Sequence, residues 1–377
     1  MEPRETLETI LRPAGGGVYV VSTGVAEQAA LQRRIYGLPH DADAAAIVAG
    51  WQRALDGLAA ARIVLLGVPS DTGAGFTRGA NRAPAALRAR LLGAWPTHPL
   101  RAPGVVDVGD VRVVPQLLTD AMLAPEQIEA CRRALYGDAR APLPVAPLDL
   151  TERALDLLAV LAPQALPIVL GGDHSVGWPA FRATWRRVEG PDAPRPGRLG
   201  VLHFDAHTDL LPHRLGIEHC FATWAWHANE TLGRDGRLVQ VGIRASGHPR
   251  AHWEATLGVR QFWAHEVAHT PAAALADTLV AHFRGLGCTA LYLSNDIDGT
   301  DAAEAAATGT PEPGGLSADL VAEVIARVGA ALPIVGADLV EVAPPLAHGL
   351  PGEPERTLDV GLHYLARTTE AMRAHNP

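Results

Sequence analysis

The sequence predicts a three-layer α/β/α fold with a mostly parallel central sheet, and three observations carry that expectation. From about residue 62, short β-branched runs alternate with longer helical patterns. The runs are continuously apolar rather than alternating, as strands buried on both faces must be. Acidic or histidine-bearing clusters follow four of the runs, where ligands bind in sheets of this kind.

In chain order, residues 1–60 are Ala/Gly-rich, with a helical pattern around Asp43–Ala61 and no strong strand partner. They read as an N-terminal extension, packed on the main domain at 61–377 or on a neighbouring subunit. Expected strands are Ile63–Gly67, Val105–Gly109, Pro167–Gly171, Leu199–Asp205, Leu238–Arg244, Ala290–Asp296 and Ile334–Val342. Helical patterns include Pro84–Leu92, Asp319–Ala330 and roughly Leu358–His375. In the second, Leu320, Val321, Val324, Ile325 and Val328 make one stripe, and Ser317 is the expected cap. The Pro/Gly-rich segment Val188–Arg198 reads as a surface loop.

Composition narrows the function classes. A net charge of -9, with no basic run, argues against a nucleic-acid surface. No apolar run approaches the length of a membrane span, and no signal peptide is evident at Met1 to Glu5. Three cysteines (Cys131, Cys220, Cys288) without metal-type spacing read as reduced thiols of a cytosolic protein.

The clusters themselves are Gly171 to Ser175 (GGDHS), Asp205 to Asp209 (DAHTD), Asn295 to Asp298 (NDID) and Leu339 to Val342 (LVEV). They supply His174, Asp205, His207, Asp209, Asp296 and Asp298, with a lone carboxylate at Glu341. Four Asp and two His at the ends of buried strands cannot be left without positive charge. On turning backbone, the i, i+2, i+4 spacing in DAHTD aims three side chains to one side. Oxygen-rich sets with imidazole suit Mn²⁺, Zn²⁺, Ni²⁺ or Fe²⁺, and a shared carboxylate can bridge two ions roughly 3.5–4 Å apart. The residues therefore point to a two-metal hydrolase.

Together these motifs resemble those of the ureohydrolases, the family of arginase, agmatinase, guanidinobutyrase and guanidinopropionase. The resemblance runs from about Ile63 to Arg367 and includes GVPSDTGAGFTRGANRAPAALR (Gly67 to Arg88), VVDVGDV (Val105 to Val111), Thr308-Gly309-Thr310-Pro311 and Gly314-Gly315. It implies a parallel-sheet α/β catalytic domain, two divalent ions (Mn²⁺ by family habit, Ni²⁺ as the alternative) and a homotrimer or homohexamer. A hetero-oligomer is a further alternative. One ion would be held by His174, Asp205, Asp209 and Asp296, the other by His207, Asp205, Asp296 and Asp298. Two ions lower the pKa of shared water and so supply the hydroxide that attacks a guanidino carbon. By the same resemblance, Glu341 would grip the guanidinium and His219 would move the proton to the leaving nitrogen.

The chain also departs from the family. His219 is followed by Cys220, Phe221 and Ala222 rather than the usual Gly-Thr. Leu210 or Leu211 stands where arginases hold the substrate α-carboxylate, and Ala245-Ser246-Gly247 where they hold its α-amino group. An amino-acid substrate is therefore not expected. The third signature reads Asp301-Ala302 and Ala306-Ala307 where the family has Asp-Pro and Pro-Gly. Asp301 is expected to support the site from behind, with Trp224, His213 and Arg244 as further pocket or supporting residues. Phe204, Phe221, Trp224, Trp226 and Trp178 offer apolar walls for a small guanidinium, and His213 with Arg214 could meet an acidic tail. The expected reaction is C–N hydrolysis of a small non-amino-acid guanidino compound to urea, the candidates being guanidine, an alkylguanidine or biguanide, an ω-guanidino acid and agmatine. Formimino or amide hydrolysis, and a silent partner subunit of a hetero-oligomer, are the alternatives.

Overall fold

A computed structural model describes residues 2–20, 22–75, 77–94, 97–190, 198–346 and 349–376. Among the described residues nine strands make one sheet: β1 (Leu11–Arg12), β2 (Ile63–Gly67), β3 (Val105–Val111), β4 (Leu166–Leu170), β5 (Leu199–Phe204), β6 (Leu238–Ile243), β7 (Arg260–Trp263), β8 (Ala290–Asp296) and β9 (Ile334–Val340). Their spatial order is β1-β3-β2-β4-β9-β8-β5-β6-β7. Every pairing is parallel except that of β1 with β3.

Helices cover both faces because the strands are apolar on both. On one face, Ile63, Leu65, Ile168, Leu202, Val239 and Leu293 pack with the helices Ala83–Ala94, Ala272–Gly285, Ala318–Ala331 and Glu355–His375. On the other, Val64, Val169, Val201 and Tyr292 meet Pro147–Leu161, Gly177–Glu189 and Trp224–Leu232. The Ala318–Ala331 helix starts as expected, with Ser317 Oγ accepting the Leu320 amide at 3.2 Å.

Two strands escape the sequence reading. β7 is a short edge strand containing Arg260 and Gln261, and β1 has only two residues. The second changes the account of residues 1–60, which do have a strand partner: Leu11 pairs with Val111 and Arg12 with Asp110. The helix Ala44–Leu55 lies over β3, with Trp51 Nε1 donating to the Val108 carbonyl at 2.9 Å. Asp110 Oδ2 accepts the amides of Gly15 (2.8 Å) and Gly17 (3.2 Å), while Oδ1 pairs with the buried Arg88 guanidinium. Within the proposed Val188–Arg198 loop, residues 191–197 lie outside the described residues.

One topological fact places the site. The strands β4, β9, β8 and β5 are consecutive neighbours at the centre of the sheet, and each leads into one of the four clusters. Leu170 is level with Leu339, Leu339 with Asn295, and Asn295 with Phe204. Four sequence segments separated by tens of residues thus deliver their side chains to one edge.

Candidate metal centre

The loop after β4 is fixed by backbone contact too close for a side chain. A Cβ on Gly172 would fall 1.6 Å from the Ser70 carbonyl oxygen, so only glycine fits there. Asp173 N donates to Ser70 O (3.0 Å) and Glu341 N to Gly172 O (2.8 Å), tying the ends of β2, β4 and β9 together. On the β8 side, a Cβ on Gly299 would lie 2.8 Å from the Asp205 amide nitrogen.

Upon this frame the clusters converge. His174 Nδ1 lies 3.3 Å from Asp205 Oδ2, 3.1 Å from Asp209 Oδ2 and 3.0 Å from Asp296 Oδ2, yet it makes no hydrogen bond. The remainder of the ring explains why. Ser294 Oγ donates to Asp338 Oδ1 at 2.9 Å, and Tyr292 Oη donates to Asp338 Oδ2. The Ser294 proton is thereby committed, so His174 Nε2, 2.9 Å away, is the donor to Ser294 Oγ. In the neutral ring, Nδ1 is left as a lone pair among three carboxylates.

A second, adjoining group surrounds His207. Its Nδ1 lies 3.1 Å from Asp298 Oδ2 and 3.5 Å from Asp205 Oδ1. Backbone amides and one hydroxyl hold the carboxylates still. Asp205 Oδ1 accepts the His207 amide (2.6 Å), Asp296 Oδ1 the Asp298 amide (2.9 Å) and Asp298 Oδ1 the Ala206 amide (3.1 Å). Thr310 Oγ1 donates to Asp298 Oδ2 at 3.0 Å.

Asp205, Asp209, Asp296 and Asp298 are all buried, and among the described residues no arginine forms an ion pair with any of them. The protonation equilibria register that deficit. Burial raises Asp209, reinforced by Asp205, and it raises Asp296 well above the carboxylate range, reinforced by Asp298 and Asp205. Burial pulls His207 down, but Asp298 and Asp205 outweigh it and push it up to about 12. His174 is likewise raised well above normal: burial is outweighed by Asp205, Asp209 and Asp296. Burial would raise Asp205 as well, but its contacts with His174, His203 and His207 hold it well below the usual range. Without a cation the site holds protons in its place.

Divalent ions fit this donor set. Ligand atoms bound at roughly 2.0–2.2 Å and at right angles stand about 2.8–3.1 Å apart, matching the contacts of His174 Nδ1 with Asp209 and Asp296. Asp205 turns Oδ2 toward His174 and Oδ1 toward His207.

Glu341 closes one side. Its Oε1 accepts the His174 amide at 2.9 Å, and Oε2 makes no hydrogen bond among the described residues. Burial, then the nearby Asp173, raises its pKa well above the usual range, and its backbone is left-handed at φ 60°. Asp209 shares that conformation at φ 51°. Neither is glycine, and such conformations persist where surrounding structure imposes them.

The remaining expected residues fall elsewhere. His219 is grouped with Glu218 and His227 rather than with the carboxylates. Its ring stacks on Trp178 at 5.8 Å, its Nδ1 is buried without a partner, and burial followed by His227 lowers its pKa. Trp224 is fully buried and stacks on His174 at 4.7 Å, so it backs the centre instead of lining an open pocket. Arg244 spends its two terminal nitrogens on the carbonyls of Gly242, Asp298, Gly299, Thr300 and Glu312. Asp301 accepts the amides of Ala303 and Gly315 (both 2.8 Å), and the two residues together hold the loop after β8. His213 is exposed, Phe204 is core, and Phe221 lies 5.0 Å below the Arg214 guanidinium.

Sequence reasoning missed Ser294 and Asp338, which orient His174, and His203, whose Nε2 lies 2.8 Å from Asp205 Oδ2. A histidine, a serine and an aspartate inside otherwise apolar strands were the available signal.

The family model described as "Arginase family" matches residues 61–368. The guanidinobutyrase of Pseudomonas aeruginosa is 32% identical over 301 residues, covering 77% of this chain and 81% of that protein. The mitochondrial guanidino acid hydrolase of Homo sapiens is 31% identical over 306 residues, 78% of this chain and 74% of that protein. Among solved structures, proclavaminate amidinohydrolase from Streptomyces clavuligerus superposes with a TM-score of 0.64 at 28% identity, covering 84% of this chain and 93% of that one.

Proposed function

We propose, from the premise that this chain belongs to the arginase family, that it is a binuclear-metal ureohydrolase for a small guanidino compound lacking an α-amino acid head group. The products are urea and an amine or ammonia. The observation that carries the reading is the buried set of four carboxylates facing two imidazole Nδ1 atoms, with no arginine ion-paired to any of them among the described residues.

His174, Asp205, Asp209 and Asp296 would hold one ion, and His207, Asp205, Asp296 and Asp298 the other. Mn²⁺ is the first expectation, and Ni²⁺ binds the same N/O set more tightly on intrinsic affinity. Bound there, the pair would make water a nucleophile near neutral pH and polarise the carbon–nitrogen centre. The protein's own groups do the rest. Glu341 has one oxygen engaged by the His174 amide and the other open to a substrate N–H, so an incoming guanidinium supplies the charge its buried carboxylate lacks. His219, with an unengaged ring nitrogen, is assigned the proton delivered to the leaving nitrogen.

For the substrate, the relatives bear the names guanidinobutyrase, guanidino acid hydrolase and guanidinopropionase. An exposed Arg214 over Phe221, with His213 beside it, suits an acidic tail. Leu210 is buried and Leu211 is apolar, which leaves an amino-acid head group without partners. Residues 1–60 are assigned a supporting role against the sheet edge and in a homotrimer or homohexamer, and the enzyme is assigned to the cytosol. Among the described residues no helix is long and apolar enough to cross a membrane.

The deciding experiment is urea release from guanidine, alkylguanidines, biguanides, ω-guanidino acids and agmatine, with protein reconstituted separately with Mn²⁺ and Ni²⁺. Urea from one of them supports the reading. Two bound ions and no urea from any compound would overturn it.

A further inference from the structure

β5, β6 and β7 are neighbours, with His203 level with Gln240 and Gln240 level with Gln261. All three side chains are 0% exposed. Burying a polar side chain is costly unless it is hydrogen-bonded, and apolar residues would serve the packing here equally well. The three are instead joined in a line. Trp263 Nε1 donates to Gln261 Oε1 (2.9 Å), Gln261 Nε2 to Gln240 Oε1 (2.8 Å), and Gln240 Nε2 to the Thr208 carbonyl (2.6 Å). The same Gln240 nitrogen lies 3.0 Å from His203 Nδ1, and His203 Nε2 lies 2.8 Å from Asp205 Oδ2.

The line can run in one direction only. An indole N–H donates and never accepts, and a backbone carbonyl accepts and never donates. Trp263 therefore fixes the Gln261 amide, Gln261 fixes that of Gln240, and the Gln240 amino group must face His203. Nδ1 accepts, so the ring proton sits on Nε2 and points at Asp205. Asp205 is then gripped through both oxygens, Oδ1 by the His207 amide and Oδ2 by His203. A carboxylate shared between two ions needs this restraint, because rotation about its own bond takes one oxygen away from each.

We infer that His203 is a positioning residue for Asp205, with its ring orientation set by Gln240, Gln261 and Trp263. The inference rests on the metal assignment above.

Its test is the titration of metal-free protein with Mn²⁺ in competition with a chelator, reading stoichiometry and affinity and needing no substrate. Wild type should take up two ions. His203→Phe and Gln240→Leu should bind Mn²⁺ roughly ten- to a hundredfold more weakly, the usual consequence of losing a group that orients a ligand. In a His207→Ala background, which leaves the His174 ion, the Gln240→Leu loss should persist. His203→Gln, whose amide can donate to Oδ2 from a similar place, should recover much of the affinity. If His203→Phe does not fold, Gln240→Leu carries the test. Two ions bound to Gln240→Leu with wild-type affinity would overturn the inference, as would His203→Gln proving no better than His203→Phe. A wild type that binds no ion would instead overturn the metal assignment and the inference with it.

Discussion

His174 Nδ1 lies 3.0 Å from Asp296 Oδ2 without a hydrogen bond between them. With Nε2–H committed to Ser294, the neutral ring turns a lone pair toward a carboxylate in a buried site. Their separation is that of two ligands on one ion, and the neutral ring has no Nδ1–H to make it a hydrogen bond.

Asp205→Asn and Asp296→Asn each remove a charge expected to serve both ions. Activity should fall by about 10³-fold or more, because bound metal supplies several kcal/mol of transition-state stabilisation. Elemental analysis should find less than two ions per chain. Near-normal turnover in either variant would refute their role.

Glu341→Gln keeps an acceptor for the His174 amide and should fold and retain both ions while losing guanidine turnover. Glu341→Ala also strands that buried amide, at a cost of about 1–3 kcal/mol, and should melt lower. Loss of metal from the Gln variant would show that Glu341 holds the centre together rather than the substrate.

His219→Ala should slow turnover with metal content unchanged, since its neighbours are Trp178 and His227 rather than the carboxylates. An unaltered rate across the pH range would remove it from proton transfer.

The metal-free protein should become less stable as pH rises from 5 to 9. His207 has a folded pKa raised to about 12, so its contribution is complete below its unfolded value near 6.5 and drains away as pH climbs toward 12. Asp209 and Asp296 are also raised and act in the same direction above the unfolded carboxylate value. Asp205 is lowered, but its window lies below that value and leaves this range untouched. Each extra proton held by the folded state contributes a slope of about 1.4 kcal/mol per pH unit. Metal replaces those protons, so the gain in Tm on adding Mn²⁺ should grow with pH. A gain independent of pH would contradict the proton-filled account of the centre.

Arg88→Met should destabilise the fold by about 3–5 kcal/mol, because it leaves buried Asp110 and half-buried Asp107 without their cation. Asp110 also fastens Gly15 and Gly17, so limited proteolysis should cut the first sixty residues earlier than in wild type. Unchanged cleavage would mean that the β1 pairing and Trp51 suffice to hold the segment.

The parallel sheet, and the four strand ends that meet at its centre, were legible because their signals are local: an apolar run, then acid and histidine. The residues that orient the ligands were not. Ser294 and His203 sit inside apolar runs, where one polar side chain reads as a tolerated exception until the neighbouring strand is known. Asp338 lies three residues before Glu341 and stood in plain view, yet its partners Tyr292 and Ser294 lie on another strand. β7 went unread because Arg260 and Gln261 dilute its apolar signal, and Gln261 has meaning only beside Gln240. Trp224 was read as a pocket wall, but its place behind His174 depends on how its helix docks, which no spacing encodes.

The left-handed backbones at Asp209 and Glu341 bear on how such a protein changes over generations. Each position combines a conformation that glycine adopts freely with a buried carboxylate that folding alone does not require. At Asp209, replacement by glycine would relieve both penalties in a single step while discarding the side chain; at Glu341 it would relieve the backbone strain but strand the His174 amide. A lineage that no longer needed the reaction would therefore gain robustness by losing Asp209 first.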